Sequence, residues 1–363
     1  MRVLIVDDSP VLRVLLRSVF ESAGFEVREA ENGEQALRLL AGYSPDIVTM
    51  DVHMPGMDGY ETTARILERY ALPVVVLTAS ANAYDAATAM RALEAGALAV
   101  LEKPTGPGGA DFELRIDELL RTLRSMAQVK IVRRPRTLVH DDTTLPMPAG
   151  GQADGGQAQL VAIAASAGGP VALKVLLQCL APAQPWPLLL AQHIAAGFLG
   201  SFRDWLASFS AVPVHIAEDG QALQPGMLYL APDGRHLGVT ADLRVRLDSG
   251  TAKDLFRPSA NHLFHSVAQR LGSRAIGIQL SGMGRDGAEG LAELHRCGAL
   301  TLVQAPASAV IDAMPLAAIN LRAASQVLPP EAIAALLNSI AARTVSRSSV
   351  PGGQGPCSPT PKS

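Results

Sequence analysis

The sequence predicts two α/β domains, each a doubly wound, mainly parallel sheet, joined by a linker. Three observations carry this. The chain has 363 residues, which is long for one core and natural for two. Short, near-continuous runs of Val, Ile and Leu alternate with helical patterns in both halves, as strands buried on both faces do. Between residues 125 and 159 the alternation stops. That segment holds "VKIVRRPRTLVHDDTTLPMPAGGQADGGQ", which has no sustained period and the Pro, Gly, Asp and Thr content of a linker.

The elements follow in order. Over residues 1–124, "RVLIVDD", "EVREA", "DIVTMDV", "LPVVVLTAS" and "ALAVLEKP" read as strands, with helical patterns between them such as 10–23 and 33–40. The basic run at 130–136 reads as solvated linker rather than a nucleic-acid patch, being so short. Over residues 160–345 the strands are "LVAIAA", "PLLLAQ", "VPVHIA", "MLYLAP", "AIGIQL" and "ALTLVQ", and helices are expected at 170–180, 197–208, 259–271, 287–297 and 330–343. Residues 346–363, "SRSSVPGGQGPCSPTPKS", read as a disordered tail.

Composition excludes several classes. With 48% hydrophobic and 18% charged residues and a net charge of -3, the chain suits ordinary globular domains and gives no electrostatic reason to expect nucleic acid. No apolar run approaches the roughly 18 residues that would cross a bilayer. The chain enters a strand pattern at once, so no signal peptide is expected and the expected location is cytoplasmic. Cys179, Cys297 and Cys357 lack C-x-x-C spacing. The first two read as small core residues, the third as a loose thiol, in a reducing compartment.

In the first domain, Asp7 and Asp8 close strand one, Asp51 strand three, Thr78 strand four and Lys103 strand five. In an open parallel sheet these ends gather at one edge, where ligands bind. Three carboxylates crowded there repel unless a cation joins them, and hard oxygen donors suit Mg²⁺. Cation, hydroxyl and ammonium together can stabilise a phosphoryl group on one carboxylate. One such Asp alone would read as a cap. Five polar groups on four strand ends read as a site. The order D-D…D…T…K-P resembles the receiver domain of bacterial response regulators. The resemblance implies that Asp51 accepts a phosphoryl group from a histidine kinase and that Asp8 and Asp51 hold Mg²⁺, with Asp7 acting directly or through water. It also implies that Lys103 contacts the phosphoryl oxygens and that Thr78 moves to meet them. Receivers often carry an aromatic residue three positions before the lysine; here it is Val100.

In the second domain, "VAIAASAGGP" ends a strand at a single hydroxyl, Ser166, just before a helix. Alone, Ser166 reads as an N-cap. His193, ending "PLLLAQH", and Asp286, in "SGMGRDGAEG", shift that reading. All three occupy strand-to-helix crossings, which parallel strands bring to one edge. A serine becomes nucleophilic when a histidine takes its proton and a carboxylate fixes the imidazole. Of the other histidines, His236 and His265 read as pocket lining.

"AASAGGP", "AQHIAAGF", "APDGRHL", "FRPSANHLFHSVA", "SGMGRDGAEGL" and "AMPLAAI" resemble, in order, the blocks of the chemotaxis protein-glutamate methylesterase (CheB) family. The resemblance implies Ser166 as nucleophile, His193 as base, Asp286 as orienter and Met283 at the oxyanion site. The N–H of Ala167 is a second expected donor there. It implies no cofactor for the esterase step. It also implies phosphorylation-activated hydrolysis of glutamyl methyl esters on chemoreceptors, with deamidation of receptor glutamines. Ala164, Ala167, Ala195 and "QAPASAV" from Gln304 depart from the usual pattern. The rival readings are a phosphorylation-switched binding protein with a degenerate hydrolase domain, and a DNA-binding response regulator. The second is the weaker, because no basic helix-turn-helix follows the first domain.

Overall fold

The first domain is a parallel sheet in the order β2-β1-β3-β4-β5. Its strands are β1 (Arg2–Val6), β2 (Glu26–Ala30), β3 (Ile47–Asp51), β4 (Val74–Thr78) and β5 (Ala99–Glu102). Helices α1 (Pro10–Ser22), α2 (Gly33–Leu40), α3 (Gly59–Tyr70), α4 (Ala83–Glu94) and α5 (Phe112–Met126) connect and cover them. The computed structural model describes residues 1–78, 83–104, 106, 112–129, 131, 157–251 and 256–348.

The helix starts are chemically set. Ser9, Asn32 and Asp58 are extended N-caps whose side chains accept the backbone N–H three residues on, and Pro10 fills the first turn of α1, where a missing N–H costs nothing. Alternate residues of β1 bury on opposite faces. Val3 and Ile5 pack with Leu16, Phe20, Leu119 and Leu123 of α1 and α5, while Leu4 and Val6 pack with Ala36, Leu40 and Ile66 of α2 and α3. The sheet is therefore covered on both faces, as the Val/Ile-rich runs predict.

The second domain is a seven-stranded, all-parallel sheet in the order β14-β13-β12-β6-β7-β9-β8. Its strands are β6 (Leu160–Ala165), β7 (Leu188–Gln192), β8 (Val214–Ile216), β9 (Leu228–Leu230), β12 (Ala275–Gln279), β13 (Leu300–Gln304) and β14 (Gln326–Leu328). The helices are α6 (Gly169–Cys179), α7 (Leu199–Ala207), α8 (Ala260–Arg270), α9 (Ala288–Arg296), α10 (Ala313–Asn320) and α11 (Pro330–Ser348). Val161, Ile163 and Ala165 of β6 join Leu173, Phe202 and Leu337 on one face, and Leu160, Ala162 and Ala164 join Phe264 and Leu291 on the other. Strand β6 lies between β7 and β12, where the winding reverses, and in open α/β sheets ligands bind at the carboxyl end of such a point.

Some elements were not foreseen. A two-stranded antiparallel pair, β10 (His236–Val239) with β11 (Val245–Asp248), stands apart from the main sheet; its strands, "HLGV" and "VRLD", leave no continuous apolar run. Strand β14 has three residues, and the first seven residues of α10, "AMPLAAI", are all apolar, so neither presents a half-polar pattern. Cys179 and Cys297 are exposed, not core. Each falls at a helix end, past the apolar stripe that the helix turns inward. Helix α11 runs on to Ser348, past the expected end at 343. Most of the linker, including all of the basic run but Ile131, lies outside the described residues, as do 349–363 with Cys357.

The two domains pack on each other. Helix α4 contacts α6 and α7, and Met90 and Leu93 share an apolar cluster with Phe198, Leu199 and Phe202. Glu94 accepts hydrogen bonds from Lys174 Nζ at 2.7 Å and Trp205 Nε1 at 3.0 Å. Partial burial pushes the Glu94 carboxyl up, but these two donors outweigh it and hold it below the usual carboxylate range.

Candidate active site and acidic pocket

Strand register assembles the second-domain site. Ala165 of β6 pairs with Gln192 of β7, so the next residues, Ser166 and His193, emerge side by side. Asp286 arrives from the turn beyond β12, seven residues past Gln279, and Gln279 Nε2 holds its carbonyl at 2.9 Å. His193 Nδ1 lies 3.3 Å from Ser166 Oγ, and His193 Nε2 lies 2.9 Å from Asp286 Oδ2. With the imidazole proton on Nε2, toward the carboxylate, the Nδ1 lone pair can face the serine. The Phe256 ring stacks on the imidazole, centroids 4.5 Å apart and planes 6° from parallel.

Ser166 is not an N-cap. Helix α6 starts after Gly168, whose φ of +74° is left-handed. A Cβ there would lie 2.6 Å from Ser281 Oγ and 2.7 Å from Val310 Cβ, so only glycine makes this turn. The turn frees the serine hydroxyl from helix capping and presents it at the sheet edge. Ser166 N–H donates to Ser281 O at 3.0 Å, and Gln304 Oε1 accepts the Ser281 N–H at 2.7 Å. Gln304, the first residue of the departing segment "QAPASAV", thus supports the same loop. Gln192 Nε2 donates to Ser166 O at 3.0 Å.

The Asp286 carboxylate is the most supported group here. It accepts Ala260 N–H at 2.7 Å, Asn261 N–H at 2.9 Å and Ser259 Oγ–H at 2.9 Å, all at the start of α8, where the helix dipole favours an anion. Burial pushes its pKa up, but the hydrogen bond and charge of His193 and these backbone donors outweigh it and lower the pKa to about 2. The sequence did not reveal this cradle. Ser259 heads an amphipathic run after a proline, which signals an N-cap, but nothing in the spacing says that its hydroxyl reaches a residue 27 positions away. Nor did the sequence single out Phe256 or Gln192.

Met283 and Ala167 line one cavity of about 380 Å³ with Ser166 and His193. Among the described residues, neither the Ala167 nor the Met283 backbone N–H donates to another backbone group. The far wall of this cavity belongs to the first domain: Leu98, Val100, Arg121 and Met126. Leu98 packs with Ala167 and Ile311, so the α4–β5–α5 face lies over the edge that carries Ser166. His236 is buried outside this cavity, and His265 pairs with Glu293 at the α8–α9 surface; neither lines it.

In the first domain, Val6 pairs with Met50, so Asp7 and Asp51 follow as neighbours. Lys103 Nζ bridges them, 3.0 Å from Asp7 Oδ2 and 2.9 Å from Asp51 Oδ2. Asp7, Asp8 and Asp51 offer oxygen atoms within 4.8 Å of one another. Burial raises the pKa of Asp7, against the Lys103 charge and with that of Asp51. The Lys103 ammonium is opposed by burial too, yet its hydrogen bond and charge pairing with Asp51 raise its pKa. Three carboxylates facing one ammonium leave net negative charge, the donor chemistry that a hard divalent cation fits. Thr78 ends β4 beside Glu102, and its carbonyl accepts the Lys103 N–H at 2.7 Å.

Residues 161–337 match the CheB methylesterase family and residues 3–109 the response regulator receiver domain. A protein-glutamate methylesterase/protein-glutamine glutaminase of Hahella chejuensis is 50% identical over 343 residues, covering 94% of this chain and 98% of the relative. The chain belongs to the CheB methylesterase family. Relatives of the same description from Syntrophus aciditrophicus and Methanospirillum hungatei are 41% and 39% identical, each over 94% of this chain and covering 98% and 99% of the relative. Each of these matches spans both the receiver and the esterase segments of this chain. Among the described residues no helix is long and apolar enough to cross a membrane.

Proposed function

We propose that this chain hydrolyses glutamyl methyl esters on chemoreceptors, and deamidates receptor glutamines, through an acyl-enzyme on Ser166. The observation that carries this is the relay from Ser166 Oγ through His193 to Asp286, at 3.3 Å and 2.9 Å. His193 Nδ1 takes the Ser166 proton as Oγ bonds to the ester carbonyl carbon, and the N–H groups of Ala167 and Met283 receive the oxyanion. The carbon–methoxy bond then breaks and methanol leaves with the proton from His193. Water attacks the acyl-serine, gives its proton to His193, and frees glutamate and Ser166. With a glutamine side chain the leaving group is ammonia. Methanol release from methylated receptor membranes tests the reading, with and without a phosphodonor. Its place is the cytoplasm, where a kinase can reach the receiver.

Asp51 is the phosphoryl acceptor in this reading, and a histidine kinase the donor. Asp7, Asp8 and Asp51 would hold Mg²⁺, which would supply charge neutralisation for phosphoryl transfer. Lys103 pairs with those oxygens and Thr78 moves toward them. Acetyl phosphate with Mg²⁺ should label the wild-type chain and leave Asp51→Asn unlabelled; label persisting on that variant would move the acceptor elsewhere. Lys103→Ala should still bind Mg²⁺ but lose the coupling to ester hydrolysis.

The receiver restrains the esterase by lying over its edge, and phosphorylation repacks the α4–β5–α5 face to release it. The cover over Ala167 and the Glu94 contacts support this. Glu94 is about one-third exposed, so its ion pair is worth ~1 kcal/mol at most. Glu94→Ala should therefore raise the unphosphorylated rate by up to about fivefold and leave the phosphorylated rate alone. Equal rises in both states would remove Glu94 from the restraint.

A further inference from the structure

Among the described residues, His236 is the buried histidine that the proposed chemistry leaves unused, at 3% exposure. It heads β10, which lies along α8 and is fastened to it twice. Val239 N–H donates to Ser266 Oγ at 2.9 Å, and Ser259 N–H donates to His236 Nδ1 at 3.1 Å. Between these points a Cβ on Gly238 would lie 2.6 Å from Ser266 Oγ, so the seam is tight. His236 also stacks on His262, centroids 4.7 Å apart.

The residue that His236 holds is the one that positions the acid. Ser259 gives its hydroxyl to Asp286 Oδ1, and the next two N–H groups, of Ala260 and Asn261, also go to Asp286. The direction of the Ser259 peptide thus sets three donors at once. We infer that His236 is a positioning residue of the esterase, acting through Ser259 on Asp286. This rests on the reading of Asp286 as the group that orients His193. Accepting at Nδ1 keeps the His236 proton on Nε2. Without that acceptor the Ser259 N–H becomes a partly buried donor that has lost its partner. The cap turns to satisfy it, and the carboxylate turns with the cap. Displacements of about 0.5 Å are enough to spoil such an arrangement.

The test is methanol release by the full-length chain, treated with acetyl phosphate and Mg²⁺, on methylated receptor membranes. In His236→Asn the amide oxygen can occupy the Nδ1 position. In His236→Gln it reaches the Nε2 position instead, with similar volume. The Gln variant should lose kcat on the order of tenfold to a hundredfold, with KM within about twofold, and the Asn variant should recover to within about threefold of wild type. Adding Ser259→Ala to the Gln variant should cost less than Ser259→Ala alone, since both act on one carboxylate. Wild-type kcat in the Gln variant, an Asn variant no better than Gln, or a loss confined to KM overturns the inference. Ser166→Ala runs beside them. If it is inactive while the Gln variant keeps its kcat, this inference alone fails; if Ser166→Ala stays active, the triad reading fails and this one with it.

Discussion

Ser166→Ala removes essentially all ester hydrolysis and leaves the chain folded. The hydroxyl is 3.3 Å from the base, no other described side chain replaces it there, and loss of a triad nucleophile costs on the order of 10⁶ in turnover. The fold survives because Ser166 is held by its backbone, through the Ser281 carbonyl and Gln192, and neither bond uses the hydroxyl. The measurement is kcat for methanol release beside a thermal melt. A variant that melts like wild type and keeps even a few per cent of the rate would falsify the assignment and favour the degenerate-hydrolase rival.

Asp286→Asn lowers kcat by about 10⁴, as loss of the correct imidazole tautomer does in a serine triad. An amide cannot accept from His193 Nε2, Ala260 N–H, Asn261 N–H and Ser259 Oγ–H together. Its N–H₂ must face one of these donors, or His193 must take its proton on Nδ1, where it can no longer act as base toward Ser166. Stability falls as well. Because the folded pKa of about 2 lies below the unfolded value of ~3.9, the carboxylate's stabilisation is complete above pH ~4 and is lost as pH falls toward 2. It amounts to about 2–3 kcal/mol. Acid unfolding followed from pH 5 to pH 1.5 should show wild type losing this increment and Asp286→Asn lacking it throughout. A kcat within tenfold of wild type in the variant would remove Asp286 from the orienting role.

Much was legible in the chain. Both sheets could be read because strands buried on two faces leave continuous apolar runs, and "LVAIAA" and "VVVLT" do so without a break. The candidate site residues stood out because open parallel sheets bind ligands at the carboxyl ends of their strands. Asp7, Asp8, Asp51 and Lys103, and likewise Ser166 and His193, sit at or one or two residues beyond such ends. The β10–β11 pair and α10 were not legible. The strands "HLGV" and "VRLD" are broken by polar residues or glycine and leave no continuous apolar run, and a helix apolar on every side has no period.

The sequence by itself determined two α/β domains, an acidic receiver pocket and a serine, a histidine and an aspartate bound for one edge, because strand periodicity and strand-end placement are local properties of the chain. Only the tertiary structure decided how that edge is held and covered. The α8 N-terminus cradles Asp286, Phe256 stacks on His193, and Leu98 lies on Ala167. Each of these joins residues 25 to 69 positions apart, and such a contact is fixed by the packing of whole helices and of one domain on the other, which no local pattern records.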